Sequence, residues 1–461
     1  MDAAQLLSVQ DSLNAHLALF HPFLGRSPQR EALAVYARGR LGPLERKSLE
    51  PIALAEGASP RVLQLFLERR LWDEEGVLDT HQRLVAHRLG DPEGIFIADE
   101  TSDAKKGGHT AGVARQYCGE SGKIDNCIVS VHWAYAGRDN SQVLLDGSLY
   151  LPPSWDASAG EEALARRAEA GVPEDAKHQS HCTMSIEQLR RARQNGVPGR
   201  WATGDEHYGG SWDWREQVAA MALFYVAEVP KTLRGYRRAP AFHIPRRRGR
   251  GRKPRRPIPD IKSMTVEKIA RLTQALFEPW RVHEGTKGPE VWNIARVPLW
   301  ASNERHPGQT QAGLLLIADN VLTGERKYFF SNAPARTPTS ELLRVAFSRW
   351  RVERCFQDAK GELGLNHAET RSWQSTKRHL ILTCVLHLFM TLLRSEWGGK
   401  HGGSDTEPGR RRSGGDAPDP VRLGGIPRQT ARNRRTPRAA HETVCGAQPQ
   451  GGTLSQEEAP A

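Results

Sequence analysis

Residues 349–373 read RWRVERCFQDAKGELGLNHAETRSW, and no other stretch restricts the fold as tightly. Wound as a helix at about 100° per residue, it sets Arg349, Glu353 and Lys360 within a narrow arc of one face, with Phe356 beside them. Asp358 lies well off that stripe and Glu362 points the opposite way. One carboxylate is therefore expected between two cations, on a face that also carries apolar packing. A purely solvated face would not need that arrangement. Arg349 and Glu353, four apart, also have the spacing of an ordinary surface ion pair, worth about 0.3–0.5 kcal/mol. The rest of the chain has to decide between the two readings.

Two further carboxylates stand at the ends of strand-like runs. Residues 94–101 read GIFIADET, an apolar run closing on Asp99-Glu100-Thr101. Residues 199–209 read GRWATGDEHYG, a shorter run closing on Asp205-Glu206. An Asp at a strand end is commonly a turn former or a helix cap. Neighbouring strand residues face opposite ways, so one member of each Asp–Glu pair is expected to face a common site.

The spacing Arg-x3-Glu-x6-Lys over residues 349–360 resembles the signature that DDE transposases of bacterial insertion sequences carry on their last catalytic helix. A Tyr precedes the Arg by three residues in that family; here the position is Ala346, with Phe347 next to it. The phrases KKGGHTAGVARQYCG, FYVAEVP and KYFFSNAP resemble the insertion sequence seven-oh-one branch, a relative of the insertion sequence four branch. The resemblance covers roughly residues 15–395. It implies that Asp99, Asp205 and Glu353 are the catalytic triad and the ligands of two Mg²⁺ ions, with Mn²⁺ able to substitute. It also implies that Arg349 and Lys360 contact the DNA backbone; Lys105, Lys106 and His109, just after Asp99, could add phosphate contacts. The expected partners are double-stranded DNA with terminal inverted repeats, target DNA, and a second copy of the chain on paired ends. Two other classes stay open: a catalytically inactive DNA-binding relic, and a stand-alone RNase H-like nuclease.

The expected fold is α/β, an RNase H-like core interrupted by a β-rich insertion. Residues 1–90 carry apolar residues at helical spacing and would form a helical domain that, by the resemblance, binds the element's ends. Residues 91–230 read as the first part of the core, with strand-like IFIAD, HTAGVARQY and CIVSVHWAYA, then helices over EEALARRAEA and SIEQLRRARQNG. Residues 231–340 form the insertion. It opens with the arginine-rich PRRRGRGRKPRRP (245–257), which has no apolar residue and cannot pack a core. Trp292 and Trp300, in the strands after it, suit core or edge packing, with base stacking as the competing role. Residues 341–397 return to the core with the Glu353 helix. From 398 to 461 the text is Gly, Pro and Arg without periodicity and is expected to be disordered, as a frameshift near codon 398 would leave it.

Charge and cysteine usage narrow the partner. The chain of 461 residues carries a net charge of +12 and a pI near 9.6, which favours a polyanion, nucleic acid first. Acidic membrane is the competitor. The start MDAAQLLSVQDSLNA lacks the basic and apolar regions of a signal peptide. LILTCVLHLFMTLL (380–393) is shorter than a span of about 20 apolar residues and holds His387, so a buried helix is expected there. The six cysteines form no CxxC pair and read as reduced thiols of a cytoplasmic, nucleoid-associated protein.

Overall fold

The computed structural model describes residues 3–245, 255–285, 288–400 and 419–422. Five helices come first: α1 (Ala3–Ala18), α2 (Ser27–Leu41), α3 (Leu49–Ala55), α4 (Pro60–Glu68) and α5 (Glu74–Leu89). Prolines open α2 and α4, where the missing N–H is not needed. Asp73 caps α5 by accepting from the Gly76 N–H at 2.9 Å. These helices share their core with the far end of the chain. Leu33, Ile52, Leu63 and Phe66 pack in one cluster with Ile381, Leu382 and Val385.

The centre is a sheet. β1 (Ile95–Ala104), β2 (Ala114–Cys118), β3 (Lys123–Ala136) and β4 (Gln142–Leu149) are antiparallel neighbours, with β3 between β1 on one side and β2 and β4 on the other. β3 is buried at every residue from Cys127 to Ala136, as a strand covered on both faces must be. Residues 105–113, part of an expected strand, are instead a loop. Asn126 Nδ2 closes it by donating to the carbonyls of Lys105 and Gly107. Helices α6 (Glu161–Ala170) and α7 (His181–Gln194) lead to β5 (Trp201–Thr203), which runs parallel to β1. Helices α8 (Glu206–Gly210) and α9 (Trp212–Ala220) follow, and then β6 (Phe224–Glu228), parallel to β5.

The segment 231–340 adds strands to the same sheet. It holds β7 (Arg234–Tyr236), β8 (Phe242–His243), β9 (Ile258–Pro259), β10 (Met264–Thr265), helix α10 (Val266–Leu272), β11 (Glu278–Gly285), β12 (Gly288–Ser302), β13 (Thr310–Asn320) and β14 (Arg326–Ser331). β14 pairs antiparallel with β6, Phe330 opposite Ala227, so the ladder runs unbroken through a 13-stranded sheet. Residues 246–254, the centre of the arginine-rich stretch, lie outside the described residues. Trp292 is 2% exposed and packs on Phe347, a core position; Trp300 is half-buried on β12.

Three helices complete the described fold: α11 (Thr339–Ala346), α12 (Trp350–Gly361) and α13 (Trp373–Lys400). Over Trp373–Trp397, α13 is long and apolar enough to cross a membrane, but 67% of its most apolar window is buried inside the protein, as a core helix would be. The expectation of structureless chain from 398 needs correcting where residues are described. α13 runs on to Lys400, because extending a formed helix adds a hydrogen bond per residue fixed. Val421–Arg422 form a short strand, β15, on the open edge of β11, whose unpaired backbone groups offer a ladder. The remainder of the tail lies outside the described residues.

Candidate active site

The sheet register brings the two Asp residues together. β1 and β5 run parallel with Ile97 opposite Thr203. The pairing ends there, and Asp99 and Asp205 each follow two residues later, near enough for the Asp205 charge to raise the Asp99 carboxyl. Asp205 caps α8, its Oδ1 accepting from the His207 N–H at 2.9 Å and the Tyr208 N–H at 3.3 Å. α8 can sit this close to the sheet only because residue 209 is glycine. A Cβ there would lie 1.9 Å from the Glu228 carbonyl oxygen of β6.

α12 crosses the face that carries Asp99. Asp99 pairs with His132 of β3 and shares its face, and the His132 ring contacts Phe356 of α12 edge-on at 5.3 Å between centroids. The expected single helix through Arg349 is broken: Phe347–Arg349 form a 3₁₀ turn, and α12 begins at Trp350. Arg349 Nη1 donates to Asp99 Oδ2 at 3.0 Å, while Nη2 pairs with Glu353 Oε1 at 3.1 Å. The expected order of cation, carboxylate, cation is thereby replaced by one guanidinium between two carboxylates. Lys360 does not share in this pairing; its Nζ donates to the Ser102 carbonyl at 3.2 Å.

The electrostatics are those of a site short of positive charge. Asp99 is 8% exposed. Burial pushes its carboxyl up to about 7; Arg349 pulls against that, and Glu100 and Asp205 add to it. Glu100 is also raised, by burial and then by Asp205, although its Oε2 accepts from the Tyr208 hydroxyl at 2.8 Å. Glu228 is raised by burial, with Lys327 opposing. Burial works against the Arg349 charge, yet Asp99, Glu353, Asp205 and Glu228 together outweigh it and raise its pKa.

Residues 19–289 match the family model of the DDE superfamily endonucleases. The chain belongs to that family. The matched span contains Asp99 and Asp205 and ends before Glu353. Over 102 residues, 22% of the chain, it is 39% identical to a protein of Microchaete diplosiphon named as a probable transposase for insertion sequence element IS701. The match spans 27% of that relative, about a quarter of its length.

DDE endonucleases use divalent metals, usually Mg²⁺. Among the described residues no group of three or more His, Cys, Asp or Glu stands close enough to hold an ion. The donor chemistry nevertheless suits one. Asp99, Asp205 and Glu353 offer only carboxylate oxygens, the ligands Mg²⁺ prefers, and the raised Asp99 carboxyl is what a nearby cation would relieve. In this arrangement the guanidinium of Arg349 carries the positive charge between Asp99 and Glu353.

The other sequence candidates divide. Lys106 and Glu353 are exposed. Lys105 is turned inward, its Nζ 2.5 Å from Asp103 and donating to the Ala368 carbonyl at 2.7 Å. His109 pairs with Glu169 at 2.8 Å. Glu206 is exposed on the first turn of α8. Three residues went unrecognised in the sequence: Tyr208, Glu228, and Glu100 as a partner to Asp99 and not merely its rival. The only signal for them was adjacency, in DEHYG and in FYVAEVP.

Proposed function

We propose that this chain is a DDE transposase of an insertion sequence, which cuts DNA at the element's ends and joins the freed 3′-hydroxyl to target DNA. The observation that carries the reading is that Asp99 and Asp205 follow the paired ends of adjacent parallel strands and act on one another electrostatically, with Glu353 tied to Asp99 through Arg349. The order β4-β3-β1-β5-β6, antiparallel and then parallel, supports reading the core as RNase H-like; 231–340 as its insertion and 1–90 as the end-binding part belong to the same reading.

Asp99, Asp205 and Glu353 are the residues that would hold two Mg²⁺ or Mn²⁺ ions. When bound, such ions activate a water or 3′-hydroxyl and neutralise charge on the leaving oxygen. The chain's own groups do the rest. Asp205, fixed by its cap bonds, keeps one oxygen pinned to α8. Glu100, held by Tyr208, ties β1 to the same turn. Arg349 exchanges its carboxylate partners for the scissile phosphate as the site loads, and Lys106 and Lys360 supply backbone contacts. Binding to inverted repeats as a homodimer and a cytoplasmic, nucleoid-associated location belong to this reading.

The test is cleavage of DNA carrying the repeats that flank the gene, against random DNA, with Mg²⁺ and with excess chelator. Metal-dependent cutting at the repeats supports the transposase. Equal cutting of random DNA would favour a stand-alone nuclease. Binding without cutting would favour an inactive relic.

A further inference from the structure

The sheet face that carries Asp99 does not end where α12 stops covering it. On β3 the residues sharing that face are His132, Ser130, Ile128, Asn126 and Ile124, each two apart. Ile128 is still buried at 9% exposure. Next along, Asn126 donates to the Lys105 and Gly107 carbonyls of the β1–β2 loop, and past it the cover is gone: Ile124 is 58% exposed and Tyr117, paired with it across the β2–β3 hairpin, is 65% exposed. Arg115 is two residues from Tyr117 on β2, so it shares this face, and it is exposed. The opposite face of the hairpin is closed by a small buried cluster of Cys118, Cys127 and Val129. The hairpin is thus one-sided. It is packed behind and bare in front, with an aromatic ring, an aliphatic side chain and a cation in a row.

Its placement matters as much as its composition. Ala104, the last residue of β1, pairs with Cys127, so the hairpin extends past the same strand end at which Asp205 sits. Ile124 is eight residues along β3 from the partner of Asp99, about 26 Å at the rise of an extended strand. That is the span of about seven or eight base pairs.

Resting on the transposase reading, we propose that the β2–β3 hairpin is a second DNA contact. Tyr117 and Ile124 lie against the sugars or groove wall of the duplex, and Arg115 and Lys106 lie against its phosphates, about seven or eight base pairs from the phosphate held at Asp99. The occupant is DNA and not a second copy of the chain, because the apolar pair is small and has the exposed cations Arg115 and Lys106 beside it. Lys106 is exposed in the loop between β1 and β2, and the front-facing Asn126 bonds the carbonyls of its neighbours Lys105 and Gly107, which puts that loop beside this face. Of the nearby acids, Glu120 is tied to the Ala104 N–H and the Asn366 amide, and Asp125 lies 3.7 Å from Lys123.

The experiment uses the full chain and a random duplex of about 40 base pairs, long enough to span both contacts. Hydrogen exchange is read over residues 114–127 with and without DNA, and affinity is compared between the wild type and the triple variant Arg115→Ala, Tyr117→Ala, Ile124→Ala. All three positions are exposed, so the variant should fold; its melting temperature checks this. The expected result is protection of the hairpin by DNA and an affinity loss of about tenfold or more in the triple variant, with Tyr117→Phe close to wild type. DNA that binds but leaves the hairpin unprotected, with the triple variant binding equally well, overturns this inference and leaves the transposase reading standing. Protection that grows with protein concentration in the absence of DNA assigns the face to a second copy and overturns it likewise. A wild-type chain that binds no duplex sinks the transposase reading and this inference together.

Discussion

Among the places where the described residues bury charge, two are built in opposite ways. One surrounds Arg40, which is fully buried where α2 meets the chain after α12. Its guanidinium donates to the Leu363 carbonyl at 2.5 Å, the Tyr36 hydroxyl at 3.2 Å and Thr383 Oγ1 at 3.0 Å, and His379 closes the ring of partners. One cation meets a set of neutral acceptors. The other place surrounds Asp99, which shares the Arg349 guanidinium with Glu353, while Asp205 and Glu100 stand near it and Glu228 leans on Lys327 at 3.9 Å. The first is satisfied as it stands and holds helices together. The second is left with like charges near one another, and burial together with Glu100 and Asp205 raises the Asp99 carboxyl. An uncompensated cluster is the better marker of function.

The strongest way to break this contrast is at the carboxylates. Asp99→Asn, Asp205→Asn and Glu353→Gln should each lower DNA cleavage by about 10³-fold or more, with the fold and DNA binding kept, since each removes carboxylate charge at small steric cost. Unimpaired cleavage by any of them would remove that residue from the site. At the other place the effect should fall on folding. Arg40→Ala strips a buried node and leaves Tyr36, Thr383 and the Leu363 carbonyl without their donor, so it should cost about 3–5 kcal/mol in urea unfolding. A loss below about 1 kcal/mol would mean that water replaces the guanidinium.

Acid should act first on the helical side. His16, His81 and His387 are buried, and burial holds each at about 4 or below; His379 is held well below its ordinary value by burial and by Arg40. Below about pH 6.5 the unfolded chain takes up protons at these sites and the folded chain does not. Stability present at neutral pH should therefore fall as pH drops from about 6.5 towards 4. A flat urea midpoint across that range would contradict the burial.

Asp99 carries the reverse sign. Its folded pKa, about 7, is raised above the ordinary 3.8, so its contribution to stability is complete in acid and is lost as pH rises through 7. At pH 8 and without metal, Asp99→Asn should stabilise the protein by about 1–3 kcal/mol, and the gain should shrink towards pH 5. Mg²⁺ should raise the wild-type melting temperature at pH 8 and raise that of the variant less. Smallest of all, Glu362→Gln should change cleavage by no more than about threefold, since Glu362 lies exposed beyond α12. If it abolishes cleavage while Glu353→Gln does not, the choice of carboxylate on this helix is wrong.

What was legible in the residues was local. The apolar run into Asp99 is a strand, and the run into Asp205 is a short strand followed by a helix. The stripe through Glu353 is a helix packed by Phe356, and 380–393 is a buried helix. Periods of 2 and 3.6 are written into neighbouring side chains, so sequence alone could reach these features. Even there it erred by one turn at Arg349, because a 3₁₀ turn and an α-turn demand nearly the same residues.

What only the tertiary structure decided is who meets whom. Asp99 and Asp205 lie 106 positions apart and are brought near one another by three residues of parallel pairing just before them. Arg349 reaches Asp99 across 250 positions and becomes the bridge instead of a flank. Lys105 is spent on Asp103 and Ala368, and Tyr208 holds Glu100. None of these follows from spacing, because strand pairing is chosen by the whole sheet and the core beneath it. A side chain's charge then answers to the neighbours that pairing delivers, not to those beside it in the chain.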